Sequence, residues 1–303
     1  MRAPTGSAIR LAILVLAPVA VTALATSAFA ADDCPAGGTV RFGVEPYEAA
    51  SRLLPVYQDV AKLIADKLGC KVEVQVTTSY NAEIEAMRAG KLEIGEFGPL
   101  GYVLAHQIAK AEAVASFSQA DGKPMTYTAS IVTWPGSGVT SLKDTVGHSF
   151  AFSDPASTSG HLFPAYALQK AGIDADKGIK PVYSGSHTAT FEALRNHKVE
   201  VGELNSDQIV SARHQNMWQD GMFTTLWQSD PIPQDPIAVR GDLPAGLKTK
   251  LTQILQNLDM KVLPKADLDV LSGDGKTFVP MTDAAYDPIR DMVKILKVDL
   301  AKL

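Results

Sequence analysis

Ser157, Thr158 and Ser159 stand side by side, followed by Gly160 and the apolar stretch His161–Leu168. The pattern reads as a helix start, where backbone N–H groups lack partners and partial positive charge collects. Three rotatable O–H donors added there make a cradle for an oxyanion without lysine or arginine. An ordinary helix cap uses the same residue types. One Ser or Asp suffices for a cap, so three hydroxyls are surplus, and the rest of the chain must decide.

Further groups able to hold a charged oxygen lie far apart in sequence. Tyr80, Tyr127 and His187 are competent donors. Each hydrogen bond to a charged oxygen contributes about 1.5–3 kcal/mol. Taken singly, the tyrosines read better as packing residues and the histidine as a loop residue. Asp207 and Asp235 are acids, and a carboxylate repels an oxyanion unless something positive or protonated lies between them. Either the ligand carries an ammonium group, or a protonated ligand oxygen donates to the carboxylate. Asp207 also suits a helix cap, and Asp235, between prolines 233 and 236, also suits a turn.

Catalytic patterns are weak. Ser157 occupies the place of the first glycine in a Gly-x-Ser-x-Gly elbow around Ser159. Ser157, His187 and Asp207 include the types of a hydrolase triad, but those types recur in any chain of this length. The histidines at 106, 148, 161, 187, 197 and 214 lack metal-ligand spacing, and Gly136-Ser137-Gly138 lacks the rest of a dinucleotide fingerprint. No enzyme, metal or cofactor is expected, and a phosphoester hydrolase is the minor alternative.

These residues need a scaffold that brings them together. Arg2 and Arg10, the apolar run from Leu11 to Ala25, and Ala28-Phe29-Ala30 form an export signal over residues 1–30, cleaved after Ala30. Cys34 lies too far beyond that point for a lipid anchor, and the periplasm is the expected compartment. Export favours a Cys34–Cys70 bridge over two free thiols. Each cysteine precedes a strand-like run. The net charge of −5 becomes more negative by two once the signal arginines are removed. An acidic chain without basic runs is a poor nucleic-acid binder, so anion capture must be local.

Strand-like and helix-period runs alternate: Val40–Val44, Leu53–Leu68, Val72–Thr77, Asn81–Ala89, Leu92–Phe97, Tyr102–Ala109. This order predicts an α/β fold with parallel sheets. Tyr127–Thr133 reads as one long strand. Two Rossmann-like lobes are expected, residues 31–127 plus 230–303 and an inserted 128–229, joined by two crossings near Tyr127 and Ser229. Ligands of such sheets sit at the carboxyl ends of strands, here in the cleft.

Six separated blocks resemble the phosphonate, phosphite and phosphate substrate-binding proteins of ABC importers, which have the type II periplasmic binding fold. They are Asp154-Pro155-x-Ser157-Thr158-Ser159-Gly160-x-Leu162-x-Pro164, Ser79-Tyr80, Phe97-Gly98-Pro99, Ser186-His187-Thr188, Asn205-Ser206-Asp207 and Ile232-Pro233-Gln234-Asp235-Pro236. The resemblance implies a phosphorus oxyanion held by Ser157, Thr158 and Ser159, with Tyr80, Tyr127 and His187 closing on it. It implies that acids at 207 and 235 take an amine, although Asp207 stands where that pattern has a longer Glu. Gly98 would offer an amide to the ligand, and Phe97 either walls the pocket or packs in the core. The expected partner is an inner-membrane permease, and the receptor is expected to be a monomer. A sensory receptor serving a kinase would have the same pocket.

Overall fold

The computed structural model describes residues 1, 34–35, 37–271 and 277–296. Residues 2–30 of the expected export signal and the cleavage point lie outside the described residues.

Strand β1 (Thr39–Val44) leads into α1 (Ala50–Leu68), β2 (Lys71–Val76), α2 (Tyr80–Arg88), β3 (Ile94–Glu96), α3 (Pro99–Ala109) and β4 (Ala111–Phe117). Helix α1 buries Leu53, Val56, Tyr57, Val60, Ile64 and Leu68 on one stripe, the spacing that places side chains on a single helix face. It stops at Gly69, whose φ of 79° suits glycine at a helix end. Strand β5 (Thr126–Tyr127) then carries the chain to β6 (Ala129–Thr133), β7 (Ser149–Phe152), a wide turn (Thr158–Leu162), α4 (Phe163–Lys170), β8 (Lys180–Tyr183), α5 (His187–Arg195), β9 (Val201–Asn205), α6 (Ser206–His214) and β10 (Thr224–Gln228). The return runs through β11 (Ile232–Pro233), β12 (Pro236–Arg240), α7 (Ala245–Gln256), α8 (Lys265–Val270), β13 (Phe278–Pro280) and α9 (Asp287–Leu296).

Two large sheets result. The first has the order β13-β4-β12-β3-β1-β2, and the second β10-β6-β9-β7-β8. In each, one strand arriving from the other half runs antiparallel to its neighbours. Strand β12 lies between β3 and β4, and β6 lies between β9 and β10. The sheets are therefore mixed rather than purely parallel. The short pair β5–β11, with Tyr127 opposite Ile232, links them. The expected strand Tyr127–Thr133 divides at Thr128, because its two parts serve different sheets.

Helices cover both faces. Phe42, Tyr57 and Leu251 pack on one side of the first sheet, and Met87, Leu100, Tyr102 and Tyr286 on the other. Phe150 and Leu168, then Phe191 and Leu204, do the same for the second. Cys34 and Cys70, just before β1 and β2, form a disulfide with Cα atoms 5.8 Å apart.

Candidate functional site

The carboxyl ends of the parallel strands in both sheets face a common cavity. On the second sheet's side, β7 ends at Phe152 and the chain enters the wide turn that carries the three hydroxyls. A Cβ at Gly160 would collide with Ser153 and Ser157 Oγ, so only glycine lets the turn pack this closely. Ser157 caps the turn, its Oγ accepting from Gly160 N–H at 3.1 Å. Thr158 Oγ1 accepts from Leu100 N–H at 2.8 Å, and Ser159 Oγ from Asn205 Nδ2 at 3.2 Å. Each hydroxyl oxygen thus accepts from an N–H of fixed position. Its own proton remains to be donated elsewhere. Tyr127 lines the cavity beside Ser159 and Thr158, and its phenol is a further donor. Burial, then the charges of Asp235 and Asp207, raise the pKa of that phenol well above the ordinary value, so it keeps its proton.

His187 begins α5 and is 6% exposed. Its Nδ1 lies 2.8 and 3.0 Å from the oxygens of buried Glu203, and its Nε2 lies 3.5 Å from Ser157 Oγ. Glu203 fixes the Nδ1–H tautomer, so in the imidazolium Nε2–H points toward the hydroxyls. Burial alone would lower the pKa of His187, but the charge and hydrogen bond of Glu203 outweigh it and the pKa is raised. The donor wall therefore includes a group that can carry positive charge.

Tyr80 and His187 occupy equivalent places. Ser79 caps α2 by accepting from Ala82 N–H, and Ser186 caps α5 by accepting from Ala189 N–H. Both caps aim the next side chain at the cavity.

The first sheet's side is acidic. Glu45 follows β1, Glu96 ends β3, and Asp235 precedes β12. Glu45 Oε1, Glu96 Oε2 and Asp235 Oδ1 are buried without a hydrogen-bond partner among the described residues. Burial, followed by mutual repulsion, raises the pKa of Glu45 and Glu96 well above the ordinary carboxylate range. Burial and the charge of Asp207 push Asp235 up to about 8. Asp207 rises to about 6 through burial, moderated by a 2.8 Å hydrogen bond from Gln234 Nε2. Carboxyls so close together cannot all ionise, so this floor holds protons at neutral pH. It donates to a ligand oxygen when protonated. It accepts from a ligand N–H or O–H when ionised.

The cavity brings together Tyr80, Tyr127, Ser157, Thr158, Ser159, His187, Asp207 and Asp235. Two expectations need correction. Phe97 is fully buried in the core beneath Gly95 and does not line the cavity. Gly98 lines it, but its N–H is spent on Glu45 Oε2 at 2.7 Å and is not free for a ligand. The glycine serves close approach instead, since a Cβ there would lie 3.2 Å from Glu45 Oε2 and 3.7 Å from Thr158 Oγ1. Asp207 does not cap α6; Asn205 does, accepting from Gln208 N–H at 2.7 Å.

Sequence reasoning missed Glu45, Glu96, Glu203 and Gln208, whose Nε2 is buried, lines the cavity and is unpaired among the described residues. Glu45 directly follows the apolar run of β1 and Glu96 ends β3. An acid at the carboxyl end of a buried strand was the signal available.

Residues 42–286 match the family described as ABC transporter, phosphonate, periplasmic substrate-binding protein. The chain is 25% identical over 276 residues to the phosphate-import protein PhnD of Mycolicibacterium smegmatis, covering 85% of each. It is 28% identical over 258 residues to the phosphonates-binding periplasmic protein of Escherichia coli, covering 84% of this chain and 75% of that one. Its fold is similar to that of PhnD1 from Prochlorococcus marinus, solved in complex with methylphosphonate, with a TM-score of 0.75, 23% identity, and coverage of 86% and 98%. Strand order, cavity and family match agree: this chain belongs to the periplasmic phosphonate-binding proteins of ABC transporters and has the type II periplasmic binding fold.

Proposed function

We propose that this receptor captures a small phosphorus oxyanion, a phosphonate, phosphite or phosphate, and hands it to a membrane permease. The observation that carries this reading is the donor wall. Ser157, Thr158 and Ser159 each accept from a fixed N–H, and a glutamate-backed His187 stands beside them. Relatives named for phosphate and for phosphonates support the same ligand class. The acidic floor adds a requirement that the group opposite the donors carries or receives a proton. An ammonium substituent or a P–OH meets it.

The mature chain begins at Ala31 after signal cleavage and acts as a monomer. One lobe comprises residues 31–127 plus 230–303 and the other 128–229, with β5 and β11 between them as the hinge; the membership of the two sheets supports this division. The receptor binds without turnover, and a chromogenic phosphoester should yield no product.

Calorimetry with phosphite, phosphate, methylphosphonate, 2-aminoethylphosphonate and sulfate tests the reading. At least one phosphorus compound should bind more tightly than sulfate. Thr158→Val and Ser159→Ala should each weaken that binding by about tenfold or more, the loss of one charge-assisted hydrogen bond. Unchanged affinity in both variants sinks the assignment.

A further inference from the structure

The β1–α1 loop carries Glu48, which is 5% exposed and receives four hydrogen bonds. Two come from its own side of the cleft: Ala49 N–H to Oε1 at 3.0 Å and Arg52 Nη1 to Oε2 at 2.9 Å. Two come from the opposite side: Thr188 Oγ1 donates to Oε1, and Ser211 Oγ to Oε2 at 3.1 Å. Ser211 Oγ itself accepts from Gln215 Nε2 at 3.0 Å and from Arg52 at 3.4 Å, which turns its proton toward Glu48.

The two far partners are well placed. Thr188 directly follows His187 at the start of α5. Ser211 lies one turn beyond Asp207 on α6. One carboxylate on the first sheet's side thereby fastens both helices whose first turns carry ligand-facing groups. A buried carboxylate is costly without donors on both oxygens, and opening the cleft removes half of them here.

We propose that Glu48 is a positioning residue, an inter-lobe latch that holds α5 and α6 across the cleft and so sets how long the ligand is retained. Glu48 and Ser211 lie on the wall of the same cavity, but the hydrogen bonds of Glu48 go to Ala49, Arg52, Thr188 and Ser211 and not to the hydroxyl wall or the acidic floor. Loss of Glu48 should change release rather than selectivity. This rests on the reading of a cleft that closes on a ligand.

Thr188→Val and Ser211→Ala remove one hydroxyl each and leave Glu48 in place. Hydrogen exchange should be followed with the best-binding compound of the panel at saturation, or ligand-free if none binds. Both variants should raise exchange in residues 45–52, on the opposite side of the cleft from the substitution. Stopped-flow measurements should show release faster by about tenfold and association within about threefold of wild type. The affinity ranking of the panel should be unchanged. If exchange changes stay confined to the mutated helix, or release keeps the wild-type rate in both variants, the latch is overturned. If no compound in the panel binds yet exchange spreads across the cleft, the latch stands and the oxyanion reading fails.

Discussion

At the scale of single residues, the site is built on hydroxyls made directional by what they accept. A free serine hydroxyl rotates and loses entropy on binding. One held by Gly160, Leu100 or Asn205 N–H is already oriented. His187 adds a charge that depends on Glu203. Its pKa is raised, so the imidazolium and its attraction for an anion are present at low pH and disappear as pH rises through that raised value. Affinity of the wild type should therefore fall with rising pH. In Glu203→Gln the largest upward push is gone, only the smaller ones from Asp235 and Asp207 remain against burial, and the fall moves to lower pH. Calorimetric titrations of both proteins with the same phosphonate, from acid to mildly alkaline pH, check this, because the ligand's own ionisation is common to both. Superimposable pH profiles would remove His187⁺ from the mechanism.

At the scale of elements, the bridge and the cavity occupy opposite ends of the same strands. Cys34 and Cys70 lie at the amino ends of β1 and β2, while Glu45 lies at the carboxyl end of β1. The bridge spans a sequence separation of 36, for which loop closure predicts about 3–4 kcal/mol of stability. Cys34→Ser with Cys70→Ser should lower urea stability by that order while ligand affinity stays near wild type. A large affinity loss without a stability loss would mean that the bridge shapes the site. Elements with strong periodicity, such as α1 and α2, were legible from sequence alone. So was the grouping of Ser157, Thr158 and Ser159 at one turn on the cavity wall, because three like residues at a helix start exceed what capping needs. Strand β4 was not legible: Ala111–Phe117 is rich in small residues, and its strand state comes from pairing with β12 and β13. The break at Thr128 was also hidden, since nothing local shows that neighbouring residues will join different sheets. Two members of the acidic floor, Glu45 and Glu96, escaped for a related reason. Glu45 and Glu96 meet only through the pairing of β1 with β3, and Asp235 joins them only when β12 inserts beside β3.

At the scale of the whole molecule, the cavity trades stability for function. Buried polar groups without partners are rare because each one costs free energy, and this receptor keeps several on one wall. The consequence is an unusual dependence of stability on pH. Asp207, Asp235, Glu45, Glu83 and Glu96 all have folded-state pKa values raised above the ordinary range, and His187 is raised as well. For each, the native state binds more protons than the unfolded chain. Stability then falls as pH rises, starting near the unfolded carboxylate values and continuing through about 6 for Asp207 and about 8 for Asp235. Asp121, Asp144 and Asp283 are lowered and act in the opposite sense, but their effect is confined to more acidic solution; buried His161 is lowered too and opposes the trend up to its unfolded value, one group against the several raised acids. The ligand-free receptor should therefore resist urea better near pH 5 than near pH 8. Asp235→Asn removes one buried charge and should flatten that slope, gaining most at the alkaline end. Urea midpoints across this range, for wild type and variant, measure it directly. A stability that climbs with pH in the wild type would mean that the floor is ionised and already compensated, and the protonated acid wall proposed for the ligand's far side would have to be abandoned.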